Sequence, residues 1–122
     1  MTTLAIERSR TWVGFLWILQ IFSAAMFLLA GGSKLAGVPA MVRLFGAVGL
    51  GQWFRYLTGG IEVVSAVLLL IPAVAAYGAA ALALTMVGAI LTHLFIVGGN
   101  PLIPIVLLAT TTTIGWARWS GR

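Results

Sequence analysis

The sequence predicts an all-α integral membrane protein, a bundle of four transmembrane helices with a re-entrant or interfacial segment between helices 1 and 2. Composition is the first reason: of 122 residues, 61% are hydrophobic and only 7% charged, with a mean hydropathy of +1.13. About a quarter of the residues of a soluble protein are charged. The second reason is that apolar runs recur four times in a chain with room for four helices of about 20 residues, the length needed to cross a hydrocarbon core about 30 Å thick.

The first run, 11–32, follows the charged leader Glu7-Arg-Ser-Arg10. It exceeds the roughly 7–15 apolar residues of a secretory signal, so it reads as an uncleaved first helix. Gly31-Gly-Ser-Lys34 predicts its end at an interface, with Lys34 snorkelling to the headgroups. Within 38–54, Met41, Leu44, Phe45 and Val48 follow helical spacing, while Gly46, Gly49 and Gly51 interrupt it. Trp53, Phe54 and Tyr56 suit an interfacial aromatic belt. This segment reads as re-entrant or surface-lying, or as a loop packed on the bundle. A second span at 55–71 is stopped by Pro72, and a third at 78–97 by Gly98-Gly-Asn-Pro101. A fourth at 102–116 tolerates Pro104 in its first turn. The chain reads as one membrane domain, 1–122.

The net charge of +5 comes from cations at the ends of apolar segments, which points to lipid phosphates and topology and not to nucleic acid. Arg8, Arg10, Arg118 and Arg122 fall on one side, against Lys34, Arg43 and Arg55 on the other. That bias favours both termini in the cytoplasm, with the long first loop outside. The absence of cysteine excludes disulfides, thiolate metal sites and dithiol redox chemistry within this polypeptide.

Glu62 stands out, because an ionisable group inside an apolar span costs about 2.5–3.5 kcal/mol on insertion scales and marks a functional site by default. Helical spacing puts Arg55, Thr58, Glu62 and Ser65 on one face. His93 is expected one turn inside the same membrane face as Glu62, close enough to meet it, with Lys34, Arg55 and Asn100 crowning that end. A carboxylate and an imidazole there bind and pass protons, as a quinone headgroup requires on reduction. Glu62 and His93 are therefore the catalytic candidates, and Lys34, Arg55, Glu62 and His93 a candidate quinone-binding cluster. The competing reading is structural: Glu62 pairs with Arg55, Lys34 or His93 to close the bundle, and His93 makes a hydrogen bond near a helix end. A lone histidine does not support bis-histidine haem, and the chain lacks ligands for tetrahedral zinc, so no metal site is expected. Nucleotide-binding glycine motifs and nucleophile elbows are also missing. Gln20 is a strongly polar residue within helix 1 with no assignable partner, and Thr110–Thr113 reads as hydroxyls bonded to their own helix. Gly88, Ala89 and Ala79–Ala83 form a small-residue surface on helix 3 for close backbone approach.

Four segments occur in an order that resembles the DoxX and DoxX-like family of small four-helix membrane proteins. They are Ala30-Gly-Gly-Ser-Lys-Leu35, Arg55-Tyr-Leu-Thr-Gly-Gly-Ile-Glu62, Leu68-Leu-Leu-Ile-Pro72 and Met86-Val-Gly-Ala-Ile-Leu-Thr-His93. The resemblance implies a four-helix bundle with Lys34, Arg55, Glu62 and His93 among its characteristic polar positions. Family members include a subunit of an archaeal thiosulfate:quinone oxidoreductase and bacterial proteins of redox complexes, while related eukaryotic proteins act as cargo receptors or chaperones. The resemblance does not imply one activity; the leading expectation is a subunit of a bacterial inner-membrane oxidoreductase assembly, in contact with other membrane subunits or with copies of itself. A non-catalytic scaffold and a carrier of a small lipophilic molecule are the alternatives.

Overall fold

Glycine and proline punctuate this chain into five helices, seen in a computed structural model that describes residues 3–120, with side chains described from 10 to 119. The side chains of Glu7 and Arg8, and Arg122, all part of the charge balance above, lie outside the described residues. The helices are α1 (Thr3–Ala36), α2 (Pro39–Val48), α3 (Gln52–Leu69), α4 (Ala75–Thr92) and α5 (Leu102–Ser120). A π-helical turn, His93–Val97, continues α4. No strand occurs among the described residues.

α1 packs on α3, α3 on α4, α4 on α5 and α5 back on α1, closing a ring. Its centre is apolar: Ala24, Phe27, Ala66, Leu69, Ala79, Leu82, Met86, Leu107 and Ile114. The outer faces are apolar too, with Ile18, Leu29, Val64, Leu84 and Phe95 exposed. An inside and an outside of equal polarity is what a lipid-embedded bundle requires. Three stretches are long and apolar enough to cross a membrane, Arg10–Ala36, Ala75–Val97 and Leu102–Trp119. α3 has 18 residues as well, but Arg55 and Glu62 lie within it.

The first helix does not stop at Gly31–Lys34 as expected; it runs on to Ala36. The glycines here serve packing and not termination. A Cβ on Gly31 would lie 2.8 Å from Val63 Cγ2 and 2.9 Å from the Gly59 carbonyl oxygen. One on Gly59 would lie 2.9 Å from Lys34 Cβ and 3.0 Å from the Gly31 oxygen. Two facing glycines thus bring the α1 and α3 backbones together. The corresponding close approach of α3 and α4 is at Gly78, where a Cβ would meet the Ser65 carbonyl oxygen at 2.7 Å. Gly88, placed by the sequence reading on the close-packed surface, has open space around it.

The 38–54 segment resolves into a helix and a turn. Pro39 occupies the first turn of α2, and Gly49, at φ 86°, ends it by donating its N–H to the Phe45 carbonyl. At ten residues, α2 is far too short to span. It buries Phe45 against Phe54 of α3, with ring centroids 5.8 Å apart, and leaves Val42 and Arg43 exposed. α3 begins three residues before the expected 55, so Gln52 enters the helix.

Candidate functional site

The end of the bundle where α1 stops and α3 starts concentrates the polar groups. Lys34 Nζ lies 2.7 Å from Glu62 Oε1, with side chains 14% and 1% exposed. Glu62 Oε2 is buried with no hydrogen-bond partner among the described residues. The pair sits where Gly31 and Gly59 remove side-chain bulk, so the short helix-to-helix distance is what lets a lysine stem reach the carboxylate.

Arg55 lies one helical face above the pair and is also buried. Its Nη1 donates to the Lys34 carbonyl in the last turn of α1, an oxygen that also accepts the Gly37 N–H at 3.3 Å. A cation at a helix C-terminus is favourable there, both as a donor and against the helix dipole. Arg55 Nε donates to Gln52 Oε1 at 2.7 Å, and Gln52 Nε2 donates to the Val42 carbonyl of α2 at 3.1 Å. The guanidinium also lies 4.3 Å from the Tyr56 ring centroid. One side chain therefore joins α1, α2 and α3. Gly37 completes the arrangement: its φ is 73°, and a Cβ on it would come within 3.2 Å of Arg55 Nη1. Arg55→Gln is expected to destabilise the protein by about 1–3 kcal/mol, the usual cost of leaving a buried acceptor and a broken network. Thermal unfolding in detergent would measure it.

The expected face of α3 is seen for Arg55, Glu62 and Ser65, all buried, with Gly59 completing it. Thr58 is half-buried and turns its hydroxyl to the Phe54 carbonyl at 2.8 Å. Thr85, Thr92, Thr110, Thr111 and Thr113 likewise donate to carbonyls of their own helices.

His93 does not join the cluster. Its Nδ1 lies 2.9 Å from the Gly98 carbonyl oxygen, at the π-helical turn that ends α4. No hydrogen bond connects it to Glu62 among the described residues. The reason is register. Gly78 packs against Ser65 and Leu68, so antiparallel α3 and α4 bring His93 level with the start of α3 and not with Glu62. At about 1.5 Å per residue, Glu62 lies roughly 15 Å further along the axis. Starting α3 at 52 instead of 55 moved Glu62 deeper than the sequence implied. His93→Ala removes one partly exposed contact and is expected to cost about 1 kcal/mol or less in thermal unfolding. Asn100 belongs to the same end and caps α5, its Oδ1 accepting the Leu102 N–H at 3.0 Å.

A second polar group lies at the opposite end of the ring. Gln20, wholly buried, donates from Nε2 to the Leu69 carbonyl at 2.6 Å and accepts from Arg118 Nε at 2.8 Å. Arg118 entered the sequence reading only as a topological charge. The one sequence signal for the pair was a glutamine inside an apolar helix, because residues 98 positions apart show no spacing.

A shallow groove of about 360 Å³ runs between α4 and α5, with Ala76, Ala80, Ala83, Thr112 and Gly115 among its walls. Glu62 is not among its lining residues. No group of three or more metal-ligating side chains is found among the described residues.

Residues 18–114 match the DoxX-like family, more than half of the chain and nearly all of the ring. The chain belongs to the DoxX-like family. This DoxX-like protein is also 29% identical over 75 residues to a Bacillus subtilis (strain 168) protein named "Putative oxidoreductase CatD". The match covers 62% of the present chain and 56% of the relative, so the chain spans about half of that protein's length. No solved structure matches the DoxX-like protein.

Proposed function

We propose that this DoxX-like protein is a small subunit of a bacterial inner-membrane oxidoreductase assembly, in which the Lys34–Glu62 end contacts a quinone headgroup or a partner's cofactor. α1, α3, α4 and α5 serve as four spans, α2 lies along the interface, and both termini face the cytoplasm. The observation that carries the reading is a buried carboxylate with one oxygen on an ammonium and the other without a donor. Such a carboxylate has an acceptor left for a proton. Family membership and a relative named for oxidoreductase activity support the redox context.

The residues fit a quinone headgroup in one way. Glu62 is almost wholly enclosed, whereas Lys34 keeps some exposure, so Lys34 Nζ is the group that meets a carbonyl oxygen and Glu62 holds a proton behind it. A bound quinone supplies the two-electron chemistry. The chain's own part is to donate a hydrogen bond, hold the proton and keep water out. Electrons come from a bound cofactor or a partner, because the polypeptide has no cysteine of its own.

A scaffold role is the second reading, and Arg55 favours it: its bonds to α1 and through Gln52 to α2 tie three helices together. Extraction in mild detergent, with mass spectrometry of everything that co-purifies, separates the two. Stoichiometric quinone or a redox enzyme, lost in Glu62→Gln without loss of folded protein, is the expected result. A clean bundle free of both would overturn the oxidoreductase reading in favour of the scaffold.

A further inference from the structure

The Gln20–Arg118 end of the ring is left electrically incomplete. A guanidinium offers five N–H donors. In Arg118 the Nε donor is bonded, to Gln20, while Nη2 is buried with no partner among the described residues. Ser23, one turn from Gln20 on the same face of α1, is wholly buried and its Oγ is also without a partner. A buried hydroxyl or guanidinium nitrogen left unpaired costs on the order of 1–3 kcal/mol, so each is a place where a missing acceptor is to be sought.

Among the described side chains no carboxylate is placed to supply one. Glu62 is held by Lys34, and lies about 10 Å along α3 from Leu69, the residue that Gln20 touches. The other acid, Glu7, is roughly 20 Å along α1 from Gln20. Among the described residues the positive charge at this end is thus uncompensated.

Its location says which anion suits it. Arg118 is close to the end of α5, and Leu69 ends α3 just before the turn into α4, so three helices terminate at this level. Trp17 lies under the guanidinium, 5.4 Å from ring centroid to Cζ, and Trp119 meets Tyr77 edge-on at 6.1 Å between centroids. Tryptophan and tyrosine gather at the headgroup level of a bilayer, where phosphates are the abundant anions. Trp17 blocks one face of the guanidinium and Gln20 occupies its Nε edge. Nη2 is enclosed, so Nη1, the nitrogen that is not buried, is the donor a phosphate oxygen meets. Arg118 is only half-buried, which leaves a way in.

We propose that Arg118, held by Gln20 and Trp17, binds a single phosphate group at this end of the bundle. The group is either the headgroup of an anionic phospholipid or free phosphate, and it is held through Arg118 Nη1.

The test is a titration of tryptophan emission in the full chain, in detergent, with phosphatidylglycerol and separately with inorganic phosphate. Wild-type protein is expected to respond saturably, with Arg118→Gln weakened about tenfold or more. Arg43→Gln, which removes an exposed cation of α2, is expected to respond like wild type. A response to the lipid alone assigns a headgroup, and a response to both probes assigns free phosphate as a ligand. If the wild-type protein responds to neither probe, or Arg118→Gln binds as tightly as Arg43→Gln, the site does not exist. The wild-type titration decides by itself if Arg118→Gln does not fold.

Discussion

Glu62→Leu is expected to destabilise the protein by about 3–5 kcal/mol, the loss found when one member of a buried ion pair is removed and the other charge is left behind. Lys34 cannot retreat easily, because its stem is packed at the Gly31–Gly59 crossing and its carbonyl accepts from Arg55. Lys34→Met combined with Glu62→Leu is expected to recover most of that loss, since a packed apolar pair of similar volume replaces a buried ion pair at little cost. Thermal unfolding of the four proteins of this cycle in one detergent measures the coupling. The double variant also separates the two readings of the site. A stable double variant without quinone or partner means that the charges serve function; one that keeps both means that they serve the bundle.

Gly59→Leu is expected to have the second large effect. Even the first carbon of the new side chain would lie 2.9 Å from Lys34 Cβ and 3.0 Å from the Gly31 oxygen, a backbone atom that cannot move aside by itself. The helices have to separate, which costs at least the 1–3 kcal/mol of ordinary overpacking and also pulls Lys34 from Glu62. Gly60→Leu, one residue away with nothing within 4 Å of its Cβ, is the control and is expected to unfold within about 0.5 kcal/mol of wild type. Equal losses at 59 and 60 would show that the loss does not come from the crossing, since the change from glycine to leucine by itself favours a helix.

The polar end of the bundle was legible in part. Lys34, Arg55 and Glu62 stand out because each is a charge in or beside an apolar run, and the structure brings all three together. Gln52 was less visible as a member, since it precedes the residue at which the second span was expected to start. His93 was misplaced because its level is set by the packing of Gly78 on Ser65 and Leu68, and the three residues by which α3 starts early account for only part of the roughly 15 Å. Gln20 was visible as an oddity, but its partner was not, because Arg118 is distant in sequence and looks like any terminal cation.

Composition and apolar periodicity, without coordinates, determined that this chain is helical, built for lipid and free of thiol chemistry, because those properties follow from residue type and local spacing alone. Which glycines are contacts and which are open was decided only by the tertiary structure: Gly31, Gly59 and Gly78 lie at crossings, and Gly60 and Gly88 do not. The choice of Lys34 as the partner of Glu62, in place of His93 or Arg55, was decided there too. Both depend on the register of antiparallel helices, a relation between distant residues that local pattern does not contain.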